Sequence, residues 1–248
     1  MIVKLPFLVF LNSSEGVVKK ITISKTFEYG FAFYHAKIKH SFFEESTSMN
    51  EQQYDKYLHI NTVGEQYGFP KLAHYHRYEP TPYTGLEQLF SGYQMPENPV
   101  FIDMGCGKGR VPIYVHHKFH IQTIGIEMDA GFYAEAESNK KSYLQKNNAP
   151  IPISFIHTIA EEYLIQPSDT VFFFFNPFSI HIFRTVIHNI WKSYEQHMRE
   201  IHIILYYPPY DYLQFLLHGT PFELIHEVHL ENEKNINERL CVFALKKA

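Results

Sequence analysis

Val100-Phe101-Ile102-Asp103-Met104-Gly105-Cys106-Gly107-Lys108-Gly109-Arg110 decides the fold. Val100–Asp103 is a short apolar run closed by an acid, which reads as a buried strand. Gly105, Gly107 and Gly109 follow at alternate positions, where they permit positive φ and a close approach of backbone to a ligand. Beyond them Val111, Tyr114, Val115 and Phe119 share one helical face. Pro112 falls in the first turn of that helix, where its missing N–H costs little. A helix starting near Gly109 aims its free N–H groups back at the glycines. The plain alternative is a tight strand-to-helix turn with no ligand. A dinucleotide fingerprint, G-x-G-x-x-G, needs a third glycine where Arg110 stands.

Outward from this turn the pattern alternates. Strands are expected at Thr123–Glu127, Ile153–His157, Val171–Phe175 and Ile201–Tyr206. Between them lie a polar helix over Ala130–Lys146 and an amphipathic one after Ser179, a candidate N-cap. The second helix carries the stripe Ile182, Phe183, Val186, Ile187, Ile190, Trp191 and Tyr194. Pro209–His218 reads as a helix closed by Gly219 at C′. Phe222–Leu230 and Arg239–Leu245 have no helix between them and should pair antiparallel. Tyr83–Phe90 is a short helix ahead of the first strand. The fold class is therefore α/β, a doubly wound and mostly parallel sheet with helices on both faces.

The first 66 residues have another texture. Residues 2–11, 17–23 and 27–38 are rich in Ile, Val, Phe, Tyr and Thr, and Asn12–Gly16 separates the first two runs like a hairpin turn. Residues 44–66 read as one or two helices. We expect an N-terminal β-rich and helical extension over 1–66 and the main domain over 67–248.

The totals exclude several classes. The 248 residues carry a net charge of −4, without the basic footprint of a protein that grips a nucleic-acid backbone by charge, and this argues against a nucleic-acid partner. The sixteen His weaken that inference in mild acid without reversing it. Two cysteines, Cys106 and Cys241, rule out a disulfide framework and fit a reducing cytoplasm. The apolar start, residues 1–11, has Pro6 and no small-residue cleavage site, so it reads as a strand and not as a secretory signal. No apolar run approaches the length of a bilayer span, so no membrane partner is expected. His116, His117 and His120 are expected on a solvent-facing helix side, and His74 and His76 lack a third metal ligand near in sequence.

FIDMGCGKGR, the acid in IGIEMD and the NPF after FFFF are similar to motifs of the class I (Rossmann-like) S-adenosylmethionine-dependent methyltransferases. The resemblance covers roughly residues 78–248. It implies a seven-stranded sheet of order 3-2-1-4-5-7-6, with the seventh strand antiparallel. It implies S-adenosyl-L-methionine as cofactor, held by Asp103, Gly105, Cys106, Gly107 and Gly109 near its methionine part and by Glu127 at the ribose. Many members carry an acid after the third strand to meet adenine. Here Ile159 stands in that place, which leaves the contact to backbone at Ile159 and Ala160 or to Glu161.

Tyr78-Glu79-Pro80-Thr81-Pro82-Tyr83 resembles the Tyr-x-Thr-Pro segment upstream of the glycine loop in adenine-N6 methyltransferases, which makes Thr81 a further cofactor residue. Without the resemblance it is a proline-rich linker with Thr81 or Thr84 as helix N-cap. Asn176-Pro177-Phe178 resembles the (Asn/Asp)-Pro-Pro-(Tyr/Phe) segment that holds the acceptor amine, and Asn176 also reaches the cofactor there. One proline is missing, so the second carbonyl and the ring are displaced by one residue. The glycine loop and the Asn-x-Phe are similar to non-SET histone-lysine methyltransferases as well. An active methyltransferase with a nitrogen acceptor, on a small molecule or a protein side chain, is the favoured reading. A non-catalytic binding module of the same fold and a dinucleotide oxidoreductase are the competing ones.

Overall fold

The computed structural model describes residues 6–11, 19–28, 31–36, 49–64, 75–147, 151–230 and 235–245. Met1–Thr47 and Ser48–Ala248 form separate compact units. The first holds three antiparallel strands, β1 (Pro6–Leu11), β2 (Lys19–Glu28) and β3 (Phe31–Ala36), in that order. β2 runs five residues past the expected end at 23, because Ser24–Glu28 continue its ladder with β3. The expected turn at Asn12–Gly16 lies outside the described residues. Helix α1 (Glu51–Leu58), which the sequence reading grouped with this extension, falls in the second unit. The reason is burial: Tyr54 and Leu58 join the second unit's core, and Tyr54 stacks on Tyr83 with ring centroids 4.4 Å apart. An Asn50–Gln53 capping box starts the helix.

The second unit continues with α2 (Tyr83–Gly92), β4 (Val100–Met104), α3 (Arg110–Phe119), β5 (Gln122–Glu127), α4 (Ala130–Lys146) and β6 (Ile153–His157). It closes with β7 (Val171–Phe175), α5 (Ile180–Gln196), β8 (Ile201–Tyr206), α6 (Tyr210–Gly219), β9 (Glu223–His229) and β10 (Arg239–Leu245). The strands form one seven-stranded sheet in the order β6-β5-β4-β7-β8-β10-β9. Counted from β4, this is 3-2-1-4-5-7-6, and β10 is antiparallel to both neighbours, as expected. No described helix is long and apolar enough to cross a membrane.

Alternate strand residues feed two cores. Phe101 and Phe173 pack with Leu86, Val111 and Tyr114 on one face of the sheet. Ile102, Phe172 and Phe174 pack on the other with Phe183, Val186 and Ile190 of α5. Much of the high aromatic content is spent here, including Phe183 stacked on Tyr212 at 3.7 Å. Two local readings need correction. Gly219 is the last residue of α6, not its C′ residue; Thr220 follows in extended backbone and its Oγ1 donates to the Leu216 carbonyl at 2.8 Å. His116 faces the core, where Nε2 meets the Ile151 carbonyl at 3.0 Å and Nδ1 meets Tyr143 Oη at 3.2 Å.

Candidate functional site

β4 and β5 end side by side, and the chain must turn sharply after β4 to enter α3. Gly105, Gly107 and Gly109 all adopt positive φ, at 103°, 51° and 83°. A Cβ on Gly105 would stand 2.7 Å from the Pro177 Cβ, so backbone alone fits there. The turn is pinned from β5, where the Ile126 carbonyl accepts from the Gly105 and Cys106 amides at 3.0 and 2.9 Å. Glu127, the last residue of β5, accepts the Gly107 amide on Oε2 and the Asp129 amide on Oε1, both at 2.8 Å. A carboxylate has about four lone-pair sites, so Glu127 keeps accepting capacity beyond these amides.

Two acids are buried here. Asp103 is only 3% exposed, and burial, followed by the negative charge of Glu127, holds its carboxyl well above the usual range. Burial raises Glu127 too, against the lowering effect of the Asp129 and Gly107 amides. Burial also pushes the Cys106 thiol up, which makes it a poor nucleophile.

A strap over residues 75–82 roofs the site. Tyr75 bridges to Phe178 in antiparallel fashion. The His76 amide donates to the Pro177 carbonyl at 3.1 Å, and its imidazole Nδ1 meets the Asn176 carbonyl at 2.7 Å. Tyr78 lays its ring over Gly107, close to Phe132, and donates its hydroxyl to the Thr62 carbonyl at 2.9 Å. The strap then enters α2 with Pro82 at the N-cap, so neither Thr81 nor Thr84 caps the helix.

Behind the strap lies a residue that the sequence reading valued only for not being glycine. Arg110, 3% exposed, donates Nε to Thr62 Oγ1 at 2.7 Å and Nη1 to the Thr81 carbonyl at 3.0 Å. Nη1 also pairs with Glu51, and Nη2 lies 3.7 Å from Asp55 Oδ1. Asp55 in turn accepts the Tyr83 hydroxyl at 2.7 Å. The pairing partners sit more than fifty residues upstream, so no local spacing announces them.

These elements enclose a cavity of about 990 Å³, counted to its open mouth. Thr81, Asp103, Gly105, Cys106, Gly107, Glu127 and Ala160 line it, and so do Pro177 and Phe178. Tyr78, Arg110 and Phe132 complete its wall. Gly109 stands apart: a Cβ there would meet Phe155 at 2.5 Å, so its glycine serves the packing of α3 on the sheet. Of the alternatives left for adenine, Ala160 reaches the cavity, while Glu161 accepts the Tyr75 hydroxyl at 3.2 Å.

Asn176 is also separate. It takes positive φ, 39°, directly after β7, and lines a neighbouring cavity of about 730 Å³. Tyr207 directly after β8 does the same, with φ 50°. His76, Arg77, Glu79 and Phe175 border both cavities, and Glu238 closes the second.

No family model and no curated protein matches the chain. Among solved structures, an RNA methyltransferase from Salinibacter ruber in complex with S-adenosyl-L-homocysteine is similar at a TM-score of 0.50 and 17% identity, over 68% of this chain and 95% of that one. A human methyltransferase 10 domain containing protein is similar at 0.47 and 14%, over 73% and 89% of the two chains. A putative tRNA (m1A22) methyltransferase from Streptococcus pneumoniae follows at 0.47 and 15%, over 66% and 69%. The first of these likenesses, with the strand order, shows the class I methyltransferase fold.

Proposed function

We propose that the protein is an S-adenosylmethionine-dependent methyltransferase acting on a nitrogen of a small-molecule or protein acceptor. One observation carries it: the buried Asp103, the backbone-only turn at Gly105 and Gly107, and the Glu127 carboxylate converge on one cavity. The residues fit the group. Asp103 takes the cationic amino-acid tail, Glu127 the ribose hydroxyls through its spare lone pairs, and Phe132 and Ala160 flank the base. The Salinibacter protein of like fold holds the demethylated form of the same cofactor.

The bound cofactor supplies a methyl group activated by sulfonium, and the protein aligns the nucleophile and excludes water. The nitrogen preference rests on Asn176, whose buried Oδ1 has no hydrogen-bond partner among the described residues and so favours a ligand N–H. The proline carbonyl, which the resemblance assigned to the amine beside the Asn oxygen, accepts the His76 amide at Pro177, and the Asn176 carbonyl meets the His76 ring. The amine site is thus shifted towards the Asn176 side chain.

Calorimetry with S-adenosyl-L-homocysteine tests the proposal, and no binding at millimolar ligand overturns it. RNA is the second reading, because the Salinibacter protein is an RNA methyltransferase and charge alone disfavoured nucleic acid here. Transfer of labelled methyl from S-adenosyl-L-methionine to total RNA would establish it. A protein that binds cofactor and methylates nothing is the non-catalytic module. The dinucleotide reading has the buried Arg110 against it, and tight NAD binding would revive it.

A further inference from the structure

The strap does more than cover the proposed cofactor cavity, because three of its residues, His76 among them, border two chambers. His76 borders both the cofactor cavity and the second cavity at the ends of β7 and β8. Its Nδ1 lies 2.7 Å from the Asn176 backbone carbonyl, an atom that can only accept. Nδ1 must therefore carry the proton, and Nε2 of the neutral ring is left as a lone pair. Among the described residues no hydrogen bond is made at Nε2. A carbonyl that fixes one ring nitrogen as donor and leaves the other as base is the arrangement general-base catalysis needs.

The second cavity suits an acceptor that donates protons. Asn176 brings its unpartnered Oδ1, Glu79 and Glu238 bring carboxylates, and Phe175 and Tyr207 bring aromatic faces that favour a cation. Among the described residues of this wall, Arg77 carries the opposing charge. Asn176 and Tyr207, on adjacent strand ends, both take left-handed backbone, a conformation that non-glycine residues adopt rarely and that concentrates at functional sites.

We propose that the second cavity binds the acceptor as a primary amine, and that His76 Nε2 is the base that takes its proton. The proposal rests on the methyltransferase reading above. The chemistry balances. A bound ammonium gives a proton to Nε2, which turns His76 into an imidazolium and the acceptor into an amine with a free lone pair. That pair forms the new N–C bond as the C–S bond breaks, and the electrons of that bond neutralise the sulfonium. The solvent-exposed His76 then returns its proton to water. The titratable groups that share the cavity with it are Arg77 and Glu79 on its own segment, Tyr207 after β8 and Glu238 before β10.

Nitrogen-15 spectra of the imidazoles, with n-propylamine as probe and S-adenosyl-L-homocysteine bound to the full chain, test this. The expected result is a His76 ring protonated on Nδ1, whose Nε2 signal shifts when millimolar n-propylammonium is added. Glu238→Gln should weaken that probe about tenfold. His76→Asn keeps a donor for the Asn176 carbonyl but has no Nε2. It should still bind S-adenosyl-L-homocysteine, yet methylate n-propylamine at least about 100-fold more slowly and lose the acidic limb of the pH profile. A ring protonated on Nε2, absence of a probe effect, or a His76→Asn protein as active as the wild type overturns the proposal. Failure of the wild type to bind S-adenosyl-L-homocysteine is a different result and overturns the methyltransferase reading instead.

Discussion

The ends of β4 and β5 and the ends of β7 and β8 lie in one sheet but are built by different means. At β4 and β5 the cavity floor is shaped by backbone: two left-handed glycines, amides returned to Ile126, and a carboxylate fixed by two further amides. At β7 and β8 it is side chain, drawn from the strap, from Asn176, from Tyr207 and from Glu238. Backbone geometry permits little choice of residue, whereas a side-chain wall can change one position at a time. On the reading proposed above, the donor half of the site is set mainly by backbone geometry and the acceptor half by side chains.

The largest break in that contrast comes from Arg110, which ties the donor half to α1 and the strap. Arg110→Met leaves Asp55 buried without its cation and should cost about 3–5 kcal/mol in denaturant unfolding. Glu127→Ala comes next. It frees two loop amides and removes the proposed ribose acceptor, so calorimetry should show S-adenosyl-L-homocysteine binding weakened by about 100-fold.

Asp103→Asn sharpens the contrast by opposing two effects. The raised carboxyl binds a proton more readily folded than unfolded, so its contribution to stability is present in acid and lost as pH rises through its folded value. At neutral pH the variant should therefore melt above the wild type while binding ligand about tenfold more weakly. The smallest effect belongs to Asn176→Ala. Asn176 lies outside the donor cavity, so the affinity for S-adenosyl-L-homocysteine should change by less than about twofold. A tenfold loss there would merge the two halves.

The same contrast governs what could be read in the sequence. Glycine spacing and buried apolar runs write the strands and the glycine loop locally, since only glycine serves at Gly105 and only a doubly covered strand reads VFFFF, while the strand order was implied by the family resemblance. Of the second cavity's wall, only Asn176 stood in a recognisable segment. Glu238 and His76 share a cavity because β10 folds back beside β8 and the strap crosses β7, and neither has a neighbour in sequence that marks it. Arg110 escaped for the same reason, and so did the membership of α1 in the second unit. Burial of His116 was hidden because its partners, Tyr143 and Ile151, come from a later helix and the loop before β6.

The Arg110 cluster also sets how far the protein can be cut. A chain begun at residue 75 would keep every strand of the large sheet and every residue that faces the donor cavity. It would lack Glu51, Asp55 and Thr62, and so leave a guanidinium enclosed in the wall with no counter-ion. The smallest piece able to stand alone is fixed by charge neutrality, and it begins ahead of α1.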